Sequence, residues 1–241
     1  MAVTNPSFRY ACLPPGRKNY FAKGLMNFKK INKILFSKIA ILILELAAVG
    51  VAIYLVGLPF YPTVKYKVVY ERGEAAQEAQ DVDKVKEKVA EIKNHLPASE
   101  YAVSPNRLII TKIGVNAPIV ESRSAEYGLS KGAWHMPDSS TPDKGGNTVI
   151  TGHRFKYLPP SNLTLYLLDK LTTGDLITVI WHDQDYIYRV REIKIVSNTD
   201  FSILQPSENP ILTIFTCHPI YSTEKRLVVI SDLVEPADLT K

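Results

Sequence analysis

An uninterrupted apolar segment of 23 residues, Ile39 to Tyr61, constrains the fold of this chain more than any other feature of its sequence. The segment contains one charged residue, Glu45. A helix of this length rises about 35 Å, enough to cross the roughly 30 Å hydrocarbon core of a bilayer. The apolar region of a cleaved signal peptide is shorter, about 7 to 15 residues. We therefore predict a transmembrane helix at 39–61, with a buried core helix as the alternative.

The charge of the chain is distributed unevenly around this segment. The formal net charge is +5, but eight of the 29 basic residues precede Ile39, where there is no acidic residue. The remainder carries 21 basic and 24 acidic residues, a net charge of −3. A nucleic-acid-binding domain would carry its positive charge on the fold itself, so we expect no nucleic-acid partner. Because basic residues stay on the cytoplasmic side, we predict a cytoplasmic tail at 1–38 and an extracytoplasmic chain after Tyr61.

The region after the membrane segment is rich in helix-forming residues. Ala, Glu, Lys and Gln dominate from Glu71 to Leu96, and Pro97 ends the pattern. One apolar stripe runs along the predicted helix at Val85, Val89, Ile92 and Leu96. We predict a helical stalk or linker at 62–105, or a helix that lies on the outside of the following domain. A coiled-coil dimer built on this stripe is the alternative.

From Arg107 onward, short apolar and β-branched segments alternate with turn residues, which predicts a mainly β domain at 106–241. The candidate strands are Arg107–Ile113, Ala117–Val120, Thr148–Thr151, Asp175–Ile180, Tyr186–Ile195, Ile211–Thr216 and Leu227–Ile230. We expect a loop-rich segment between 128 and 148 and a short helix at 163–171. Many short strands of this kind favour an antiparallel barrel or sandwich.

Three of the predicted strand termini carry residues suited to acyl transfer. Pro219 cannot donate to a sheet, so the strand before it should stop near Cys217. Arg226 immediately precedes the next strand, and His153 follows an earlier one. A thiolate is a nucleophile, an adjacent imidazole moves protons, and a guanidinium stabilises a developing oxyanion. The structural alternatives are a small buried Cys217 and a surface charge at Arg226.

The predicted topology separates the two cysteines. Cys12 lies in the cytoplasmic tail and Cys217 in the extracytoplasmic domain, so they cannot form a disulfide. A lone thiol in an oxidising compartment is either buried and inert or retained for chemistry.

The ordered set of motifs resembles the sortases, the membrane-anchored cysteine transpeptidases of bacterial surfaces. The resemblance covers Asn106 to Leu233. It is carried by Thr151–Arg154 (TGHR), Leu168–Val179 (LDKLTTGDLITV), Leu212–Cys217 (LTIFTC) and Glu224–Val229 (EKRLVV). It implies an eight-stranded β-barrel with short helices, preceded by the transmembrane helix and the helical stalk. The implied substrate is a sorting signal of Leu-Pro-x-Thr-Gly type in a surface protein.

The resemblance also implies roles for individual residues. Cys217 attacks the threonine carbonyl of the signal and forms a thioester. His153 protonates the departing amine and deprotonates the incoming one, while Arg226 positions the peptide and supports the oxyanion. The incoming amine belongs to a peptidoglycan precursor or a pilin lysine. Thr216 and His135 are further candidates for contact with the substrate.

The sequence supports no cofactor. His218 follows Cys217 and on a strand would point to the opposite face, so the pair cannot chelate a metal. Some sortases use calcium held by loop acids, and four residues qualify here by position only. They are Glu121, Glu126, Asp200 and Glu208. We therefore predict no metal.

The subclass and the alternatives depend on a few further features. No hydrophobic segment follows Val234, and Met136–Asp138 differs from the Asp-Pro-aromatic lid motif of many pilin-polymerising members. This favours a protein-anchoring enzyme with a TC-x-P motif, with a pilus role as the alternative. Other cysteine peptidases, such as the L,D-transpeptidases, place Ser-His-Gly before the thiol, whereas Cys217 follows Ile-Phe-Thr. A catalytically inert, membrane-anchored binding module is the remaining alternative.

Overall fold

The computed structural model describes residues 20–69, 77–97, 105–156 and 163–234. Cys12, the first half of the predicted cytoplasmic tail and the first residues of the predicted stalk helix lie outside these ranges. The chain divides into two compact units, Met1–Val56 and Gly57–Lys241.

The N-terminal helix α1 spans Tyr20–Gly57. A 3-10 turn at Leu58–Phe60 and helix α2 at Tyr61–Val69 follow it directly. Within the described ranges, one helical stretch, Phe36–Val68, is long and apolar enough to cross a membrane, with a mean hydropathy of 2.7. This stretch contains the whole of the predicted segment 39–61.

The second unit is built on a closed barrel of eight strands in the order β1-β2-β3-β4-β7-β8-β6-β5. The strands are β1 Arg107–Ile110, β2 Val115–Glu121, β3 Ala133–His135, β4 Asn147–Thr151, β5 Leu176–Trp181, β6 Gln184–Ser197, β7 Ile211–His218 and β8 Lys225–Leu233. This confirms the predicted mainly β, eight-stranded barrel and excludes the sandwich.

The expectation of a purely antiparallel barrel is wrong, because two of the strand pairs are parallel. β2 pairs with β3, and β4 pairs with β7. Parallel neighbours need a crossover connection. Helix α4, Ala125–Lys131, lies in the connection from β2 to β3, and the β5–β6 hairpin lies in the connection from β4 to β7.

Alternate residues of each strand fill the barrel interior. Leu212 and Ile214 of β7 belong to the central core, as do Leu227 and Val229 of β8. Because side chains alternate between the two faces of a strand, Thr216 continues the inward set and Cys217 belongs to the outward set.

Helix α3, Val82–His95, lies on the outer face of the barrel. It begins at Asp81, whose carboxylate accepts hydrogen bonds from the backbone N–H groups of Asp83 and Lys84. Val85 and Val89 are fully buried. Their partners on the barrel are Ile109, Leu176, Ile180 and Ile187. The barrel therefore covers the predicted apolar stripe at Val85, Val89 and Ile92, so these three residues are not available to a coiled coil.

The structure differs from the sequence prediction in two local segments. The expected helix at 163–171 is reduced to a 3-10 turn at Leu168–Lys170. Four consecutive residues, 165–168, are all buried, which a helix with a single apolar face does not provide. The expected loop at 128–148 contains β3 and part of α4, which are too short to show a periodic pattern.

Candidate active site

His153, Cys217 and Arg226 lie at the neighbouring ends of three adjacent strands, with His153 just beyond the last residue of β4, and we call them the outer row. Cys217 of β7 is the register partner of Arg226 of β8. The parallel pairing of β4 with β7 ends at Thr151 opposite Phe215, so His153, two residues further, is level with Cys217. Neighbouring strands are about 4.8 Å apart. The structure thus brings the three sequence-predicted residues together on the outside of the barrel.

Cys217 is a free, half-buried thiol and the one cysteine within the described ranges. β7 extends through it to His218 and ends before Pro219, close to the predicted position. A partly exposed thiol at a strand end, flanked by an imidazole and a guanidinium, suits a nucleophile better than a core residue.

His153 is half-buried just beyond the end of β4. Its carbonyl accepts a hydrogen bond of 2.9 Å from the backbone N–H of Leu165, which holds this segment after the ladder has ended. Burial lowers the pKa of His153, and the nearby Lys156 ammonium lowers it further. The imidazole is therefore predominantly neutral at pH 7 and can accept a proton.

Arg226 is half-buried and anchored to the loop that precedes β8. Its Nη1 donates to the carbonyl oxygens of Thr223 at 2.8 Å and Lys225 at 3.0 Å. The neighbouring Lys225 is exposed, and its register partner on β7 is His218. These bonds hold the guanidinium against the backbone before β8, while the strand register sets the backbone of Arg226 opposite that of Cys217.

Thr216 lies beneath the outer row and does not face the solvent. It is 1% exposed, and its Oγ1 donates to the carbonyl of Gly152 at 2.7 Å. This bond joins the residue before Cys217 to the residue before His153. The contact with substrate expected for Thr216 has no support in this geometry, because the side chain points into the barrel.

His135 lies away from the outer row, so the structure does not place it at this site. β3 pairs antiparallel with β4, with His135 opposite Ile150, and runs away from the end that carries His153. The ring is 7% exposed and lies 5.3 Å from that of Trp181, at the far end of β5. Its Nε2 lies 2.9 Å from the carbonyl oxygen of Ser140. The sequence predicts a loop at His135. In the structure the residue belongs to β3, and its side chain lies on the inward face of that strand.

Arg154 is a residue of this region that the sequence does not single out. It is 4% exposed, although it carries a charge. Its Nη2 donates to Oδ1 of Asp169 at 2.7 Å, and Nη1 reaches the carbonyl oxygen of Cys217 at 3.5 Å and Nδ1 of His218 at 3.1 Å. Burial lowers the pKa of the guanidinium, and Asp169 raises it in opposition. The sequence feature that could have identified Arg154 is its position directly after His153 in the TGHR motif.

The described ranges contain no group of three or more His, Cys, Asp or Glu residues arranged to hold a metal ion. Asp200, one of the four acids noted by position, instead caps a 3-10 turn by accepting from the backbone N–H of Ser202.

Comparison with known proteins places this barrel in a family. A family model described as a sortase domain matches residues 108–234. The chain is 29% identical over 160 residues to Sortase D of Bacillus subtilis, covering 64% of this chain and 77% of that protein. It is 25% identical over 134 residues to Sortase A of Listeria monocytogenes, covering 56% and 58%. Among solved structures, Streptococcus pneumoniae Sortase C is 31% identical, with a TM-score of 0.49, 54% of this chain covered and 67% of that one.

Proposed function

The chain belongs to the sortase family, whose domain model spans residues 108–234, and we propose that it is a membrane-anchored enzyme acting through Cys217. Its substrate is a Leu-Pro-x-Thr-Gly-like sorting signal in a surface protein, and its acceptor is an amine of the cell wall or of a pilin. The observation that carries this proposal is the outer row, which sets His153, Cys217 and Arg226 at the neighbouring ends of adjacent strands.

The first half of the reaction is acylation of Cys217. The neutral imidazole of His153 takes the proton of the Cys217 thiol, and the resulting thiolate Sγ attacks the threonine carbonyl carbon of the signal, whose oxygen becomes an oxyanion. The carbon–nitrogen bond then breaks, and the imidazolium of His153 gives its proton to the departing amine. The products are a thioester on Cys217, a free C-terminal fragment and a neutral imidazole.

The second half transfers the acyl group. The nitrogen of the incoming amine attacks the thioester carbon while His153 accepts its proton. The carbon–sulfur bond breaks and a new amide forms. Burial and Lys156 lower the pKa of His153, which suits it to this second role as a base. Water in place of the amine gives hydrolysis of the same intermediate.

Arg226 supports both halves by stabilising the negative charge on the oxyanion. Its register position beside Cys217 supports this role. Its Nη1 is engaged by the carbonyl oxygens of Thr223 and Lys225. A guanidinium has five donors in a planar fork, so a residue held in this way retains donors for the peptide.

The test is mass spectrometry of the detergent-solubilised full chain incubated with a panel of Leu-Pro-x-Thr-Gly-like peptides in the absence of an acceptor. We expect a covalent acyl adduct on the wild type and on Cys12→Ala, and none on Cys217→Ala. Adding an amine should release the adduct as an amide. Release of the C-terminal peptide fragment by Cys217→Ala would overturn the proposed chemistry.

A further inference from the structure

Arg154 connects segments of the chain that carry three different motifs. It follows His153 directly, and its side chain is almost fully buried. On one side, Nη2 donates to the carboxylate of Asp169 at 2.7 Å, and Nε donates to the carbonyl oxygen of Tyr166 at 3.4 Å. Pairing with a carboxylate offsets the cost of burying the charge, so the guanidinium remains a cation at this position.

On its other side, Arg154 holds the end of β7. Nη1 donates to the carbonyl oxygen of Cys217 at 3.5 Å and lies 3.1 Å from Nδ1 of His218. A guanidinium has no acceptor, so Nδ1 of His218 must accept this bond, which leaves the ring proton of a neutral imidazole on Nε2. One side chain therefore holds both residues at the end of β7.

The contact between Arg154 and the end of β7 lies beyond the β4–β7 ladder, where backbone pairing no longer sets the distance between the two segments. The β4–β7 ladder ends at Thr151 and Phe215, two residues short of His153 and Cys217. Beyond that point, the described side-chain links between the two segments come from Thr216 and Arg154. A displacement of about 1 Å between a nucleophile and its proton-transfer partner costs about 100-fold in rate.

We propose that Arg154 is a positioning residue for the transfer reaction, which fixes Cys217 relative to His153. The proposal rests on the proposed function only in naming Cys217 as the nucleophile. Arg154 itself touches the backbone of Cys217 and the ring of His218, and its burial keeps it away from the peptide.

Two effects are separable, because charge and geometry respond differently to substitution. Arg154→Lys keeps the charge and loses the planar fork, whereas Arg154→Gln loses both. The charged and titratable groups around Cys217 are His153, Arg154, Lys156, Asp169, His218 and Arg226. All except Arg154 are retained in both variants, so the difference between the two variants reports on the charge, and the difference between wild type and Arg154→Lys reports on the planar fork.

The first measurement is steady-state transfer by the full chain in detergent, expressed per reactive thiol. We expect Arg154→Gln to lower kcat at least about tenfold with KM within about twofold, since the buried side chain does not bind the peptide. Arg154→Lys should recover part of kcat. Asp169→Asn should lower kcat in the same direction with little effect on folding. Arg191→Gln is the matched control, because Arg191 forms an exposed ion pair with Asp232 on β6 and β8.

The second measurement does not require turnover. In a Cys12→Ala background, Cys217 is the remaining cysteine, and iodoacetamide reports the reactivity of its thiol directly. We expect Arg154→Gln to change the rate of alkylation at pH 7 at least about threefold, because the end of β7 loses the side chain that holds it, with Arg154→Lys closer to wild type. If wild type forms no thioester but alkylation responds in this way, the proposed function fails and the placement of Arg154 stands. If kcat and alkylation of Arg154→Gln and Asp169→Asn stay within twofold of wild type, Arg154 is not a positioning residue.

Discussion

At the ends of β4 and β7, the side chains that point outward are the reactive ones, and the side chains that point inward support them. His153 and Cys217 belong to the outward set, and Arg154, Thr216 and His218 lie between or beside them. The alternation of side chains along an extended chain produces this division. Reactive groups and their supports are therefore adjacent in the sequence but lie on opposite faces of the same strands.

Arg226 provides the first prediction at this scale. Arg226→Lys should lower transpeptidation at least about tenfold, because Lys lacks the planar fork that donates to the loop and to an oxyanion together. Tm should change by only a few degrees, as is usual for a partly exposed residue. The measurements are initial rates and thermal unfolding of the same preparations. Lys225→Ala, at the exposed neighbour, is the control. Near wild-type rates for both variants would show that Arg226 is not part of the active site.

A second prediction concerns the protonation of His153. Its pKa is lowered by burial and by Lys156, so NMR titration should give a midpoint below the ordinary value of about 6.5. The folded state then binds this proton less readily than the unfolded state. The contribution to stability is complete above about pH 6.5 and is lost as the pH falls toward the folded-state value. Lys156→Ala should raise the midpoint, and Lys86→Ala on α3 should not. A midpoint at or above 6.5 would contradict the environment described for His153.

At the scale of elements, the parallel pairing of β4 with β7 creates the candidate site. Thr151 and Phe215 are partners although they are 64 residues apart, with the β5–β6 hairpin between them. β8 then returns antiparallel to β7 and brings Arg226 alongside. Helix α3 supports the opposite side of the barrel through its apolar stripe, against β1 and β5. The helix is thus part of the barrel's packing rather than a separate spacer.

The packing of α3 gives a prediction of stability. Val89→Ala removes two buried methyl groups and should cost about 2 kcal/mol of unfolding free energy. For a domain of this size that corresponds to a fall in Tm of about 4–8 °C. Lys86→Ala, on the exposed face of the same helix, should change the free energy by less than about 0.5 kcal/mol. Equal melting temperatures for both variants would mean that the packing of α3 against the barrel does not contribute to the stability of the domain.

At the scale of the whole molecule, a basic N-terminal region, an apolar helix and a catalytic-type barrel follow one another along the chain. The helical stretch Phe36–Val68 is sufficient in length to span a bilayer, and the remainder of the chain has the opposite net charge to the N-terminal tail. Sorting signals and wall acceptors are met outside the cell membrane. An enzyme of the proposed function therefore needs its barrel on that side.

The orientation leads to a topological prediction. Because eight basic residues and no acidic ones precede Ile39, the N-terminus should be cytoplasmic and the barrel extracytoplasmic. Protease added to intact cells should remove the barrel, detected with an antibody against it, and should spare an N-terminal tag. A barrel that is protected in intact cells and cleaved only after lysis would reverse the assignment.

The sequence alone determined the features that depend on local patterns. The apolar run at 39–61, the stripe centred on Val85 and Val89, and most of the strands follow from composition and periodicity within short windows. The order of the motifs also indicated the family and the three residues of the outer row. Length, hydropathy and alternation act over a few residues at a time, so they can be recognised without knowledge of the fold.

Only the tertiary structure decided which strands are neighbours and which face of each strand is inside. The parallel β4–β7 pairing depends on long-range register, which no short window contains. Register also makes Thr216 a buried link, places His135 at the far end of the barrel, and buries the charge of Arg154 beneath Cys217. A sequence pattern that repeats every two residues shows that side chains alternate between the two faces of a strand. Only the closure of the barrel determines which of the two faces is enclosed.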